Sequence, residues 1–194
     1  MTQPWPRPVK SSGKTLEVSM LHPLSVEASS DKRSQHYLEV MTRIEGLLDD
    51  ETDGVAAMST VAAELYGAFA YIHWAGFYRR LEPDLLAVGP YQGGHGCTRI
   101  PFSRGVCGAA ARTGQTQLVD DVHAFEDHIA CSSQTRSELV VPVFNGAGEV
   151  VAVIDLDSDA PAAFSVVDQV AVEQIARLMG ERFVLDGHLQ GSDR

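Results

Sequence analysis

The sequence predicts a single α+β domain, an antiparallel sheet of about six strands with helices packed on one face and loops over the other. Apolar residues recur at intervals of three and four in two segments near the N-terminus and in one long segment near the C-terminus. Between these segments the period falls towards two, and aromatic and β-branched residues become frequent. We expect a ligand pocket on the face that the loops cover.

Composition and charge limit the classes of partner. The chain has 194 residues, of which 44% are hydrophobic, so it can form one domain with a sizeable core. Its formal net charge is −11 and no basic face stands out, which argues against nucleic acid and favours a small cationic or zwitterionic ligand. No apolar run approaches the roughly 20 residues of a membrane-spanning helix, so we expect no membrane partner.

The three cysteines indicate a reducing compartment. An odd number of cysteines in a chain of this length argues against a secreted disulfide framework, so we predict a cytoplasmic protein. The thiols could then be reactive groups, metal ligands or small apolar residues of the core.

The N-terminal residues 1–33 are rich in Pro, Ser and basic residues and lack sustained periodicity, which predicts a flexible extension. Few acidic residues precede Val26, as in a weak targeting sequence, although the prolines oppose an amphipathic helix. The predicted folded domain spans residues 34–188, and residues 189–194 form a C-terminal tail.

Three long helices are predicted around the strands. The first begins at Ser34 and the second at Val55, with the polar stretch 49–54 between them. The last begins at Ser165, where Asp168 three residues later completes a capping pair. Its apolar face includes Val166, Val170, Val172, Ile175, Met179 and Phe183.

The strands form two predicted hairpins. Residues 72–78 and 84–91 make the first, and residues 138–144 and 149–156 make the second. The connection 145–148 of the second hairpin contains Asn and Gly, which tolerate positive φ.

A glycine-rich loop, residues 92–96, leads from the first hairpin to Cys97. A short helix is then predicted over residues 102–114, where Ser103 can cap the start and Gly114 can end the helix.

The cysteines lie in different settings. After a strand predicted at 117–120, Cys131 lies in the polar loop 121–136, where nearby histidines and an arginine can lower the pKa of a thiol. Cys97 also lies in a loop, and two loop cysteines that meet can act as nucleophile and resolving thiol. Cys107 lies on the predicted short helix, where a small buried core residue is the simplest interpretation.

A zinc site is an alternative interpretation of the same residues. The candidate ligands are Cys97, Cys107 and Cys131 with His128 or His95. The sequence lacks a closely spaced Cys pair, which structural zinc sites usually contain, so we predict no metal.

Several carboxylates lie near predicted strand ends. Asp155 and Asp157 are two residues apart and therefore face the same way on a strand. Carboxylates that share a pocket raise each other's pKa and can supply a proton at neutral pH, although solvated surface is their usual setting. Trp74 suits either the core or the binding of a methyl group. The full set of acidic candidates is Asp120, Asp121, Glu138, Asp155 and Asp157.

Residues 37–183 resemble the free methionine-R-sulfoxide reductase family, a catalytic branch of the GAF domain fold. The matching segments are Trp74-Ala-Gly-Phe-Tyr, Gly89-Pro-Tyr-Gln-Gly, Cys97-Thr-Arg-Ile-Pro, Gly105-Val-Cys107-Gly, Asp121-Val-His-Ala-Phe, His128-Ile-Ala-Cys131, Ser137-Glu138-Leu-Val-Val-Pro and Asp155-Leu-Asp157-Ser. The resemblance implies a GAF-like catalytic domain that reduces free methionine-R-sulfoxide to methionine.

The resemblance also implies roles for the thiols and acids. Cys131 would attack the sulfoxide sulfur and become a sulfenic acid, which Cys97 would convert to a disulfide. Thioredoxin or a similar dithiol would reopen that disulfide, with Cys107 as an auxiliary thiol and no bound cofactor. The carboxylates that would hold and protonate the sulfoxide oxygen are Glu138, Asp155 and Asp157.

For substrate binding, the resemblance implies that Trp74 holds the substrate's methyl group. The matching segments add Tyr78, His128, Ile129 and Ala130 as substrate contacts. Asp120 or Asp121 would receive the free α-amine. A homodimer is expected, and a regulatory GAF module that binds a small ligand without turnover is the alternative function.

Overall fold

The computed structural model describes residues 21–127, 129 and 132–185. This part of the chain contains four α-helices and six strands, and none of these helices is long and apolar enough to cross a bilayer. The helices are α1 (Ser30–Leu47), α2 (Gly54–Ala68), α3 (Gly105–Thr113) and α4 (Val166–Arg182). The strands are β1 (Ile72–Glu82), β2 (Leu85–Gly93), β3 (Arg99–Pro101), β4 (Gln117–Val119), β5 (Ser137–Phe144) and β6 (Val150–Ser158).

The six strands form one antiparallel sheet in the order β3-β2-β1-β6-β5-β4. Both predicted hairpins are present, and the pairing of β1 with β6 joins them into a continuous sheet. The sequence did not predict β3, because three residues are too few to show a period. The predicted α+β class, with about six antiparallel strands, is confirmed.

Helices α1, α2 and α4 pack on one face of the sheet, as the sequence predicts. The core between them contains Phe77 from β1, Ile154 from β6 and Ile175 from α4, all fully buried. The opposite face carries a second apolar cluster, in which Val106 and Cys107 of α3 pack against the central strands. The predicted short helix therefore joins the loops in covering the face away from the long helices.

Helix α1 begins at Ser30, four residues before the predicted start. Ser29 caps it by accepting a hydrogen bond from the Lys32 amide. Upstream, the Leu24 amide donates to the carbonyl of Ala68 at 2.8 Å. The described part of the predicted extension, residues 21–33, thus packs against the domain. Backbone pairing and the buried Arg33 side chain hold this segment in place. Neither kind of contact produces an apolar period in the sequence.

The ends of the helices agree with the sequence in part. The capping pair of Ser165 and Asp168 is confirmed, and Gly114 ends α3 in the left-handed conformation with φ 64°. Ser103 does not cap α3, whose N-cap is Arg104 without a side-chain hydrogen bond. Val166, predicted on the buried face of α4, is 66% exposed, because the apolar stripe is wider than the face that meets the sheet.

Asp168 joins α4 to α1 and to the start of β1. Its carboxylate accepts hydrogen bonds from Arg33 Nη1 at 2.6 Å, from the Tyr37 hydroxyl at 3.0 Å and from the Tyr71 hydroxyl at 2.9 Å. It also caps its own helix by accepting from the Ser165 amide and hydroxyl. Asp168 is fully buried and Arg33 nearly so, which makes this ion pair sensitive to the loss of either partner.

Replacing Asp168 by Ala should lower the free energy of unfolding by about 3–5 kcal/mol, because Arg33 would remain buried without its counter-ion. Urea denaturation followed by circular dichroism measures this change. Glu181→Ala, an exposed substitution on the same helix, is the matched control and should change the midpoint little. Equal midpoints for the two variants would contradict the stabilising role assigned to Asp168.

Candidate active site

The pairing of the three central strands positions the candidate acidic residues. In this register Glu138 on β5 lies opposite Asp157 on β6, and Asp157 lies opposite Trp74 on β1. In the row two residues away, Asp155 lies opposite Gly76. Because side chains alternate along a strand, both rows project from the face of the sheet that lacks the long helices.

These rows form the floor of a pocket that encloses about 490 Å³ of empty space, including the part open to solvent. The glycine-rich loop, the start of α3 and the loop before β5 form its walls. The described lining residues are Trp74, Tyr78, His95, Gly96, Ile100, Gly105, Val106, Cys107, Ile129, Ser132, Thr135, Glu138, Asp155 and Asp157.

Stacked aromatic rings make one wall. Trp74 stacks with Tyr78 and with Tyr91, at ring-centroid distances of 5.6 and 5.2 Å, and its indole nitrogen donates a hydrogen bond to the Gly94 carbonyl. Gly76 leaves room for this stack, since a Cβ there would lie 2.4 Å from the Tyr91 Cβ. The stack is therefore a fixed apolar surface beside the acids.

The acids and one thiol form a compact buried cluster. The Cys107 sulfur, a carboxylate oxygen of Glu138 and a carboxylate oxygen of Asp155 all lie within 4.8 Å of one another. The Cys107 thiol donates a hydrogen bond to Glu138 Oε1 at 3.9 Å. Asp155 Oδ1 is buried and has no hydrogen-bond partner, so one acceptor in the pocket is free for a donor from a bound ligand.

Removal from water favours the neutral form of the two acids in the cluster and of the neighbouring Asp157. It raises the pKa of Asp155 to about 7. Burial, together with the nearby Asp155 charge, raises the pKa of Glu138 and of Asp157 well above their usual values. The pKa of the Cys107 thiol rises well above its usual value for the same two reasons. At neutral pH the pocket therefore holds carboxylic acids that can donate protons.

The three cysteines differ in what the structure describes. Cys97 is disulfide-bonded, and its partner lies outside the described residues. Cys107 is a free thiol, only 3% exposed, which agrees with its predicted burial. The predicted nucleophile Cys131 lies outside the described residues, as do His128 and Ala130 of the same motif.

Two predicted substrate contacts do not line the pocket. Asp120 is exposed, and its backbone carbonyl accepts a hydrogen bond from the Ala162 amide. The carboxylate of Asp121 accepts from the His123 amide and caps a short 3₁₀ turn, Val122–Ala124. Strand β4 ends at Val119, opposite Glu138, and neither of the two aspartates that follow is among the described lining residues. The structure gives no support for either residue as the site of the substrate amine.

Ile129, which was predicted as a substrate contact, lines the pocket. It packs against Gly105, where an added Cβ would lie 3.2 Å from the Ile129 side chain and where φ is 70°.

Other lining residues were not identified from the sequence. The lining residues without any earlier role are Gly96, Ile100, Gly105, Val106, Ser132 and Thr135. The glycines and the matched motif that contains Val106 are sequence features that could have indicated pocket residues. Thr135 lies in a loop without a pattern, so no such feature marked it.

The cluster of Cys107, Glu138 and Asp155 is also the group of described residues that could hold a metal ion. This cluster differs from the zinc ligand set considered from the sequence. It shares only Cys107 with that set and has Glu138 and Asp155 in place of Cys97 and Cys131. A divalent ion would require all three groups to lose their protons, which their burial opposes.

Comparison with known proteins identifies the fold family. Residues 49–182 match the GAF domain family. The free methionine-R-sulfoxide reductase of Saccharomyces cerevisiae is 36% identical over 170 residues, which cover 84% of this chain and 94% of the yeast protein. The protein of the same name from Escherichia coli is 37% identical over 143 residues, which cover 74% of this chain and 86% of that protein.

A solved structure extends these comparisons. It is the free methionine-R-sulfoxide reductase of Neisseria meningitidis in complex with its substrate. This protein is 44% identical in sequence, and its structure superposes with a TM-score of 0.75. The match covers 84% of this chain and 93% of that chain, so it extends far beyond an isolated motif.

Replacing Asp155 by Asn should make the protein less sensitive to alkaline pH. The folded pKa of about 7 exceeds the ordinary value of 3.8, so the folded state binds more protons between these values. The free energy of unfolding therefore falls as pH rises through this window. From about pH 5 to about pH 8.5, the variant should gain about 2–3 kcal/mol relative to the wild type.

Urea denaturation across this pH range gives the difference directly. Asp49→Asn, which changes an exposed carboxylate, is the matched control and should follow the wild type. If the Asp155→Asn curve runs parallel to the wild-type curve, the buried acid is ionised in the folded protein and its assignment as a proton donor fails.

Proposed function

Because the chain belongs to the free methionine-R-sulfoxide reductase family of GAF domains, we propose that it reduces free methionine-R-sulfoxide to methionine. The observation that carries the proposal is the group of Glu138, Asp155 and Asp157, which faces the same pocket as the stacked ring of Trp74. Glu138 and Asp155 are buried, and Asp157 is partly exposed. Breaking the sulfur–oxygen bond of a sulfoxide requires a proton donor at the oxygen, and these acids retain protons near neutral pH.

In the first step, the thiolate of Cys131 attacks the sulfoxide sulfur while one of the acids protonates the oxygen. The sulfur–oxygen bond of the substrate breaks, methionine leaves, and the hydroxyl group remains on Cys131 as a sulfenic acid. The substrate sulfur gains two electrons and the Cys131 sulfur loses two.

In the second step, the thiol of Cys97 attacks the sulfenic acid, which forms a disulfide and releases water. The disulfide-bonded state of Cys97 supports this role, because it places that thiol within reach of a partner. Thioredoxin or a similar dithiol then reduces the disulfide by exchange and restores both thiols. Cys107 is buried against Glu138, which suits an auxiliary thiol better than a nucleophile.

The pocket walls provide a basis for selecting one epimer. The acids bind the sulfoxide oxygen at the floor, and the apolar face of Trp74 binds the methyl group. Tyr78 and Ile129 complete the apolar side. Exchanging the oxygen and the lone pair at sulfur, as in the S epimer, directs the oxygen away from the acids.

We propose that the protein acts in the cytoplasm as a homodimer.

Purified protein should form methionine from the R epimer of free methionine sulfoxide and not from the S epimer. The assay supplies thioredoxin, thioredoxin reductase and NADPH and measures methionine directly. Cys131→Ser should abolish turnover with thioredoxin and also with dithiothreitol, because the nucleophile is lost. Absence of turnover with either epimer, from folded protein with reduced thiols, would instead favour a GAF module that binds a small ligand for regulation.

Cys97→Ser should separate the two reductants. Without the resolving thiol, the sulfenic acid cannot become the disulfide that thioredoxin reduces, so thioredoxin-supported turnover should fall at least about 10-fold. Dithiothreitol reduces a sulfenic acid directly and should preserve most of the rate. Its use on the same preparation controls for misfolding. Normal cycling of Cys97→Ser with thioredoxin would show that another thiol resolves the intermediate.

A further inference from the structure

An arginine-rich segment contains Cys97 and forms one edge of the sheet. Residues 79–112 carry five arginines and only two acidic residues, Glu82 and Asp84, whereas the whole chain has a net charge of −11. The segment includes the end of β1, all of β2 and β3, and most of α3. Positive charge is therefore concentrated in the part of the chain that holds the disulfide-bonded Cys97.

Four of these arginines reach the surface without an acidic partner. They are Arg80, which is half-buried, and the exposed Arg99, Arg104 and Arg112. None of the four forms an ion pair with a carboxylate within the described residues. Backbone carbonyls accept hydrogen bonds from them instead, as the Thr98 carbonyl does from Arg99 at 2.8 Å. A backbone carbonyl carries no net charge, so the positive charges remain free to attract an acidic partner.

Two of the arginines line a groove at the end of β3. The groove encloses about 1040 Å³ of empty space, including the part open to solvent. Arg80 lies over the Phe102 ring, 5.9 Å from its centroid, and Arg112 donates a hydrogen bond to the Phe102 carbonyl. Asp84 is the single acidic residue among the described lining residues. The groove therefore combines an aromatic surface with a net positive charge.

Cys97 lies close enough to this groove for one protein to contact both. Pro101 lines the groove, and the four residues from Cys97 to Pro101 span at most about 14 Å. An interface of standard size buries about 800 Å² on each partner, which corresponds to a patch roughly 30 Å across. Arg104 lies between the two sites, because Ser103 lines the groove and Gly105 lines the substrate pocket.

We propose that the surface formed by Arg80, Arg99, Arg104 and Arg112 is the docking site of the protein dithiol that reduces the Cys97 disulfide, an inference that rests on the function proposed above. The partner is a small disulfide reductase of the thioredoxin class with acidic residues around its reactive thiols. Opposite charges accelerate the encounter of such a partner with the disulfide and fix its orientation. A small uncharged dithiol such as dithiothreitol does not need this surface.

Docking brings a thiolate of the reductase to the disulfide. Attack on the Cys97 sulfur breaks its bond to Cys131 and forms a mixed disulfide between the two proteins. Cys131 leaves as a thiolate and takes up a proton. The second thiol of the reductase then attacks the reductase sulfur of the mixed disulfide, which frees Cys97 and leaves the reductase oxidised. Two electrons and two protons pass from the reductase to the two cysteines.

Replacing Arg104 and Arg112 together by Gln should raise the KM for thioredoxin at least about 10-fold at low ionic strength, because two attractive charges are lost. The kcat at saturating thioredoxin should change less than about 2-fold. Initial rates of methionine formation from the R epimer at varied thioredoxin concentration give both values. With dithiothreitol as reductant, the variant and the wild type should have equal rates. Replacing the same two residues by Lys should restore the KM.

The matched control is Lys32→Gln with Arg177→Gln, which removes two positive charges from exposed sites outside this segment and should leave the KM unchanged. Added salt should raise the KM of the wild type towards that of the Gln variant, because it screens exposed charges. An unchanged KM in the Gln variant, an equal rise in the control or an equal loss with dithiothreitol would overturn the docking site. Failure of the wild type to reduce the R epimer with dithiothreitol would instead reject the proposed function itself.

Discussion

The register of β5, β6 and β1 is the constraint on which the site depends. It sets Glu138, Asp157 and Trp74 side by side in one row and Asp155 and Gly76 in the next. A shift of one residue would move the acids into the apolar core beneath the long helices and place core residues in the pocket. The large apolar area buried on the helix face fixes this register, so packing on one side of the sheet sets the chemistry on the other.

The two faces of the sheet have opposite effects on stability. Gathering Glu138, Asp155 and the Cys107 thiol away from water is unfavourable unless they keep their protons, and Asp155 Oδ1 remains without a partner. The helix face compensates through its apolar core and through Asp168. Three hydrogen bonds of Asp168 join α4 to α1 and the start of β1, and two more cap its own helix. The stabilising contacts are thus concentrated on the side of the sheet opposite the reactive groups.

The sequence predicted what depends on local periodicity. The long helices, both hairpins and the shared orientation of Asp155 and Asp157 follow from spacings of two, three and four residues. Local periodicity does not reveal which residues lie opposite each other on neighbouring strands. The grouping of Glu138 with Asp157 therefore came from the family resemblance, and the structure places the two residues opposite each other. In β1, Ile72 lies opposite Ser158 and Trp74 opposite Asp157, so His73 is an extra residue without a partner on β6. This irregularity is invisible in sequence, because His73 fits ordinary strand alternation. The exposed setting of Asp120, one residue beyond the end of β4, could not be inferred from its proximity in sequence to that strand.

Both edges of the sheet are strands of only three residues, β3 and β4, in the part of the chain that the structure describes. A long free edge exposes a row of unpaired amides and carbonyls, which can recruit a strand from another molecule. Here the longer strands lie inside, and the loop that leads to Cys97 follows part of β2, where the Val88 amide donates to the Thr98 carbonyl. The described part of the sheet therefore presents little template for aggregation.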